Sequence, residues 1–169
     1  MTATARSVVL RSIAQGVADA LPLAVEEVVL TGSVSRGVAD DISDIEMLIV
    51  TQGELELGDC FSLAAACGLT DLGTWGEQGV PTKRVSGYRD GVPVELIWWS
   101  RAHAESAIDA IFEGDLSATA DAIANVRALR TSGLWRSGRS DSATIRTTLP
   151  GRGSRMQPLH GAGSRLQVS

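Results

Sequence analysis

The sequence predicts an α/β (α+β) fold in which short helices and short strands share one domain. Apolar residues recur at helical spacing over residues 5–21, which is typical of an amphipathic helix packed on a core. The short apolar runs at 28–30 and 47–50 are bounded by glycine or aspartate and indicate buried strands. Asp90-Gly91 lies between two further strand-like runs, and this dipeptide favours the positive φ angles of a type I′ hairpin turn.

Local signals set the bounds of each predicted element. The first helix carries a stripe of Val9, Ile13, Val17 and Leu21, and Pro22 ends it. The other predicted elements are a strand at 25–31, a helical turn at 33–38 released at Gly37, a strand at 44–51, a helix at 58–68 with Asp59 as N-cap and Gly68 just past its end, hairpin strands at 83–89 and 92–99, a helix at 101–113 capped by Ser100, and a helix at 116–129 capped by Asp115.

The charge distribution divides the 169 residues into a domain at 1–130 and a tail at 131–169. The first part carries 9 basic and 19 acidic residues, whereas the second carries six arginines and one aspartate. An acidic domain argues against a broad nucleic-acid-binding surface. The tail is rich in Ser, Gly and Arg without periodicity, which predicts disorder. There are two alternatives. The segment is a basic regulatory tail, or a frameshift replaced the original C-terminal helices and so truncated that region.

Cysteine and histidine usage argues against a disulfide and against zinc. Cys60 and Cys67 are seven residues apart on one helix, about 10 Å along its axis, which is too far for a disulfide. His103 and His160 have no ligand-like neighbours.

No apolar run approaches the length of a membrane span. Arg11, Gln15 and Asp19 interrupt what a signal peptide would need to be apolar, so we expect a cytoplasmic protein.

Two carboxylates one residue apart suggest a metal site. Alternate residues of a strand share a face, so Asp44 and Glu46 are expected to project side by side while Ile45 turns toward the core. Like charges held so close repel unless one is protonated or a cation lies between them. Carboxylates without histidine or cysteine nearby favour a hard cation such as Mg²⁺.

A third acid and a small-residue turn extend this site. Glu95 lies between apolar residues in a strand, so it faces away from the core. If its strand lies beside Glu46, the site has three carboxylates. Three carboxylates can hold two Mg²⁺ ions for a displacement reaction at a phosphorus atom. Gly32 allows close approach of phosphate to the backbone, and Ser33 offers a hydroxyl. Lys83, Arg84 and Arg89 either line a triphosphate groove or form a solvated strand face.

The segments Gly32-Ser33-Val34-Ser35-Arg36-Gly37 and Ser43-Asp44-Ile45-Glu46 resemble the polymerase-β-like nucleotidyltransferase superfamily. They look like its small bacterial members, which include the aminoglycoside-type and antitoxin-type minimal enzymes. The resemblance implies a mixed sheet with helices packed on one side. It also implies that Asp44 and Glu46 bind metal and that Glu95 is a third ligand or the base for the acceptor hydroxyl. The residues expected to contact the nucleotide are Gly32, Ser33, Arg36 and Ser43.

Two functions are consistent with these residues. The first is transfer of a nucleoside monophosphate, AMP being favoured, from a nucleoside triphosphate to a hydroxyl of a small molecule or protein. The alternative is an inactive or antitoxin-type module that keeps the fold and binds a partner protein, such as a toxin. P-loop and Rossmann nucleotide binding are excluded because neither glycine-rich motif occurs.

Overall fold

The structure is a computed structural model that describes residues 2–22, 25–75 and 81–113. The predicted α/β class is confirmed: four helices and five strands are found in these ranges, and the strands form one mixed sheet of order β1-β2-β5-β4-β3. The elements are α1 (Ala5–Asp19), β1 (Val25–Leu30), α2 (Gly32–Arg36), β2 (Ile45–Thr51), α3 (Leu57–Ala66), β3 (Thr70–Gly73), β4 (Lys83–Arg89), β5 (Val92–Ser100) and α4 (Arg101–Phe112).

The centre of the sheet is the parallel pair of β2 and β5. Its register runs from Ile45 opposite Val94 to Thr51 opposite Ser100. β1 pairs with β2 antiparallel on one side, and β4 pairs with β5 antiparallel on the other. A parallel pair needs a long crossover, and here the chain supplies it through α3, β3 and β4. The two strands that carry Glu46 and Glu95 are therefore neighbours although far apart in sequence.

One face of the sheet packs on α1 and α3. Leu10, Ala14 and Val17 of α1 join Cys60 and Ala64 of α3 in the larger core cluster. Full burial of a side chain such as Leu10 contributes about 1.5–3 kcal/mol. The predicted stripe on α1 is rotated, since Val9 is 52% exposed and Leu10 takes the inward position.

The opposite face packs on α4, so the expectation that all helices lie on one side needs correction. Leu48 and Ile97 form a second core cluster with Ala104 and Ile108 of α4. β2 and β5 are central strands with apolar residues at consecutive positions, which requires cover on both faces. Trp98 and Trp99 accordingly point to opposite faces.

The stretch of α4 next to the sheet also buries a histidine. The rings of Trp99 and His103 meet edge to face with centroids 4.8 Å apart. Burial lowers the pKa of His103 below its ordinary value. The backbone N–H of His103 donates to Ser100 Oγ at 3.2 Å, which confirms the predicted cap at the start of this helix.

The Asp90-Gly91 hairpin is confirmed. Asp90 has φ of 53° and Gly91 has φ of 73°, as a type I′ turn requires. Pro93 lies at the start of β5, where its missing N–H is tolerated. The turn sets the register of β4 against β5, with Ser86 opposite Glu95.

Around α3 the prediction differs from the structure in two places. The helix begins at Leu57, one turn earlier than a cap at Asp59 would give, because Leu57 packs against the core. Its end is as predicted, with Gly68 at φ of 79°. The short strand β3 was not predicted, since its four residues are largely exposed and lack strand-like alternation.

Cys60 and Cys67 are free, as predicted, and both are buried. Burial raises the pKa of the Cys60 thiol to about 11, and burial also raises the pKa of Cys67.

The predicted helix at 116–129 and the tail at 131–169 lie outside the described residues. Within the described ranges, none of the helices has the length and apolar character that a membrane crossing demands.

Candidate functional site

Two of the three predicted acids are direct neighbours in the sheet. Glu46 of β2 lies opposite Glu95 of β5. Residues opposite each other on adjacent strands share a face. Asp44 comes immediately before β2 at the same alternation, so it lies on this face at the start of the strand. All three side chains are partly buried.

These acids occupy the face that also carries α4. Along β2 the same alternation continues to Leu48, and along β5 to Ile97, both of which pack under α4. α4 follows the end of β5, whereas Glu46 and Glu95 lie near the beginnings of their strands. The face is therefore apolar and covered at one end and carboxylate-bearing at the other.

The Gly-Ser turn packs directly on the second acid. Gly32 has φ of 66°, and a Cβ atom at this position would lie 2.5 Å from Glu46 Oε2. The Thr31 hydroxyl lies 3.3 Å from the same Oε2, and the Thr31 N–H donates to the Glu46 carbonyl at 2.9 Å. The two halves of the sequence motif are thus in contact, and only glycine satisfies both the backbone angle and the space.

Ser33 and Arg36 lie on α2, directly after this contact. Ser33 is partly buried, and its carbonyl accepts a hydrogen bond from Val38 N–H at 3.1 Å. Arg36 is exposed at the last position of the helix. Their contacts with a nucleotide remain predictions.

Ser43 is engaged within the loop before Asp44. Its hydroxyl donates to Asp40 Oδ1 at 2.6 Å and accepts from Asp40 N–H at 3.0 Å. The hydrogen bond from Ser43 is the main reason why the pKa of Asp40 is lowered. A nucleotide could therefore take the Ser43 hydroxyl only by replacing this bond.

The amino-terminal end of α1 is hydrogen-bonded to the loop between α2 and β2. Thr4 Oγ1 caps the helix by accepting from Ser7 N–H at 3.1 Å and donates to Ala39 carbonyl oxygen at 2.8 Å. Ser7 is fully buried, and its hydroxyl accepts from Ala39 N–H at 2.9 Å. Sequence reasoning missed these residues; a Thr before an amphipathic helix does signal a cap, but its long-range partner has no sequence signal.

Arg11 adds a second connection between α1 and the site. Its Nε donates to the Val34 carbonyl at 3.2 Å and its Nη2 to the Ser35 carbonyl at 2.9 Å. A cation at the carboxyl end of a short helix binds carbonyls that lack helical partners. Arg11 therefore holds α2, and with it the Gly-Ser turn, against α1.

Of the three basic residues on β4, one shares the face of the acids. Arg84 lies opposite Ile97 and two residues from Ser86, the partner of Glu95. Lys83 alternates to the opposite face. Arg89 alternates there too, where its Nη1 donates to the Cys67 carbonyl at 2.6 Å. A triphosphate groove on the acid face could thus include Arg84 but neither of the others.

The donor chemistry of the site suits a hard cation, since carboxylate oxygens are the ligands that Mg²⁺ prefers. The predicted pairing of Glu95 beside Glu46 is present in the register. Over residues 2–22, 25–75 and 81–113, however, no three side chains of His, Cys, Asp or Glu are gathered into a group that could hold a metal ion. Two Mg²⁺ ions here remain a prediction.

The chain is similar to the conserved protein GrpB from Enterococcus faecalis, with 15% sequence identity and a TM-score of 0.43 over 76% of this chain and 78% of that one. It is also similar to Cid1, solved with the UTP analog UMPNPP, with 12% identity and a TM-score of 0.36 over 64% of this chain.

The chain spans 38% of the length of Cid1. No protein-family model matches the chain, and no curated protein sequence matches it either.

Proposed function

We propose that the chain transfers a nucleoside monophosphate, AMP in the first instance, from a nucleoside triphosphate to a hydroxyl acceptor. The observation that supports this most is the placement of Gly32 against Glu46 and of Glu46 beside Glu95. This placement brings a tight backbone turn, which can bind phosphate oxygens, next to adjacent carboxylates, which can bind the cations of a polyphosphate.

In this proposal each residue has one task. Asp44 and Glu46 would hold Mg²⁺, and Glu95 would act as the base for the acceptor hydroxyl. The bound ions would neutralise the polyphosphate and lower the pKa of the acceptor hydroxyl. Gly32-Ser33 would bind phosphate oxygens through the backbone N–H groups and the serine hydroxyl.

The chemistry is a displacement at the α-phosphorus. The acceptor oxygen forms a bond to the α-phosphorus, the bond from that phosphorus to the bridging oxygen breaks, and pyrophosphate leaves. Glu95 lies opposite Glu46 in the register of β2 and β5, and it would take the proton of the acceptor hydroxyl. Thr31 would keep the Glu46 carboxylate in place throughout, since its hydroxyl lies 3.3 Å from Oε2.

The experiment is pyrophosphate release from labelled ATP with Mg²⁺, in the presence and absence of candidate hydroxyl acceptors. Asp44→Ala and Glu46→Ala should abolish release. Asp41→Asn is the matched control, because it removes one charge from the same loop at an exposed position and should leave release unchanged. Absence of both pyrophosphate release and Mg²⁺-dependent ATP binding in the unaltered protein would refute the enzyme proposal.

A second candidate is a module that binds a partner protein. The loop before Asp44 exposes Ile42 to 91% and Val38 to 49%. Large apolar side chains exposed in one short loop are a feature of interaction surfaces. Co-expression with the product of an adjacent gene tests this: Ile42→Ser should reduce co-purification, whereas an unaffected complex would exclude this surface.

A further inference from the structure

Trp75 is an exposed aromatic residue outside the acidic site. It follows β3 and is 47% exposed. The Arg84 guanidinium carbon lies over its ring at 4.2 Å from the centroid, which is a cation–π contact. The cation covers part of the ring, and the Trp75 residue as a whole still exposes 47% of its surface.

This pair lies on the same sheet face as the acids. Arg84 is opposite Ile97, and Ser86, two residues further along β4, is opposite Glu95. A diagonal relation of this kind separates Arg84 from Glu95 by about 7–8 Å. Since Arg84 lies over the Trp75 ring, that ring is on the same face too, at the β3 side of the sheet.

The spacing suits one extended ligand. Two strand spacings separate β5 from β3, which is about 10 Å. That is comparable with the separation between the base and the outer phosphates of a nucleoside triphosphate. A ligand with phosphates at the acids and its base at Trp75 would pass Arg84, whose positive charge complements a polyphosphate.

We propose that Trp75 and Arg84 form the base-binding end of the nucleotide site, with a purine base stacked on the Trp75 ring. This inference rests on the proposed function, because it needs the triphosphate at the acidic site. Stacking depends on flat π surfaces rather than on hydrogen-bond patterns, so a purine is favoured by its larger surface and one purine is weakly distinguished from another.

The test compares two ligands on the full chain: ATP, which has a base, and inorganic tripolyphosphate, which has none. Both are titrated calorimetrically with Mg²⁺ present. Trp75→Ala should weaken ATP binding about 10-fold or more, the equivalent of one lost base stack, and leave tripolyphosphate binding unchanged. Trp75→Phe keeps a stacking surface and should retain most of the ATP affinity. Arg84→Gln should weaken both ligands.

Tyr88→Ala is the matched control, because Tyr88 is also 47% exposed and lies on the same face of β4 but has no cation stacked on it among the described contacts. Its ATP affinity should equal that of the unaltered protein. Circular dichroism establishes that each variant is folded; if Trp75→Ala is not, Trp75→Leu carries the decision, because it keeps an apolar side chain without a π surface and should weaken ATP binding while leaving tripolyphosphate binding unchanged.

The outcomes separate the two proposals. Equal ATP affinity in Trp75→Ala and the unaltered protein would overturn the base site and leave the proposed function standing. Equal weakening of ATP and tripolyphosphate in Trp75→Ala, or weakening in Tyr88→Ala alone, would also overturn the base site. If the unaltered protein binds neither ligand, the proposed function fails and the base site with it.

Discussion

Gly32 lies so close to the Glu46 carboxylate that a Cβ atom at its position would be 2.5 Å from Oε2. Gly32→Ala must therefore displace the carboxylate, and it also places a side chain at a positive φ. We expect a loss of about 1–2 kcal/mol in the free energy of unfolding from the backbone angle alone. We also expect about a 100-fold loss in pyrophosphate release, the effect of misplacing a reacting group by about 1 Å.

Urea unfolding and the pyrophosphate assay measure these two losses separately. Gly53→Ala is the control, since a Cβ atom at Gly53 would meet nothing within 4 Å. Release that persists unchanged in Gly32→Ala would show that the position of the Glu46 carboxylate does not matter for catalysis.

Ser7 should be a stability residue although its type is polar. It is fully buried, and its hydroxyl accepts from Ala39 N–H at 2.9 Å. Ser7→Ala leaves that N–H without its acceptor, which costs about 1–3 kcal/mol. Ser62→Ala is the matched control, because Ser62 is exposed on α3 and bonds only to its own helix among the described contacts. Chemical unfolding of both variants should give a loss for Ser7 only.

Two glycines should respond to alanine with opposite signs. Gly91 has φ of 73° in the hairpin turn, so Gly91→Ala should lower the free energy of unfolding by about 1–2 kcal/mol. Gly58 is exposed in the first turn of α3 with open space around it. Gly58→Ala should raise the free energy of unfolding by about 0.5–1 kcal/mol. Thermal unfolding of the two variants beside the unaltered protein measures both signs; a gain for Gly91→Ala would contradict the turn type.

The buried thiols should make the fold sensitive to alkaline pH. Burial raises the pKa of Cys60 from 9.0 to about 11, so the unfolded chain loses this proton at lower pH than the folded protein does. The thiol's contribution is fully present below pH 9.0 and is lost as the pH rises toward 11. Urea midpoints should fall across this window, and they should fall less in Cys60→Ala.

Thiol accessibility gives an independent measurement. Cys60 and Cys67 should react with a thiol reagent at neutral pH only after denaturation, because both side chains are buried. Rapid reaction of the folded protein would contradict their burial.

Much of the fold could be predicted because its signals are local. The Asp90-Gly91 turn, the end of α3 at Gly68 and the cap at Ser100 each depend on a few consecutive residues. β3 could not be predicted in this way. It is held by pairing with β4, Thr70 opposite Tyr88, and its own four residues have no strand pattern.

The side of the sheet on which a helix packs could not be predicted from the sequence either. α4 has an ordinary amphipathic pattern, which says that one stripe is buried but not against which face. The structure places Ala104 and Ile108 on the face opposite α1, because Leu48 and Ile97 there also need cover.

In the site, alternation along a strand was enough to put Asp44 and Glu46 on one face. The residues that support the surrounding backbone and the Glu46 carboxylate could not be found, since Thr31, Ser7 and Arg11 act through hydrogen bonds to residues 15 to 32 positions away. Arg89 could not be distinguished from Arg84 either, until the register showed that they face opposite sides.

By itself the sequence determined which residues are acids on a strand, where the chain turns, and that a glycine precedes them. These are short-range properties of backbone angles and side-chain alternation. Only the tertiary structure decided that Glu46 faces Glu95 and that Gly32 touches the Glu46 carboxylate. The first contact depends on the register of the parallel strands β2 and β5, and the second on that of the antiparallel strands β1 and β2. Burial on both faces selects these registers, and no neighbouring residue in the chain does so.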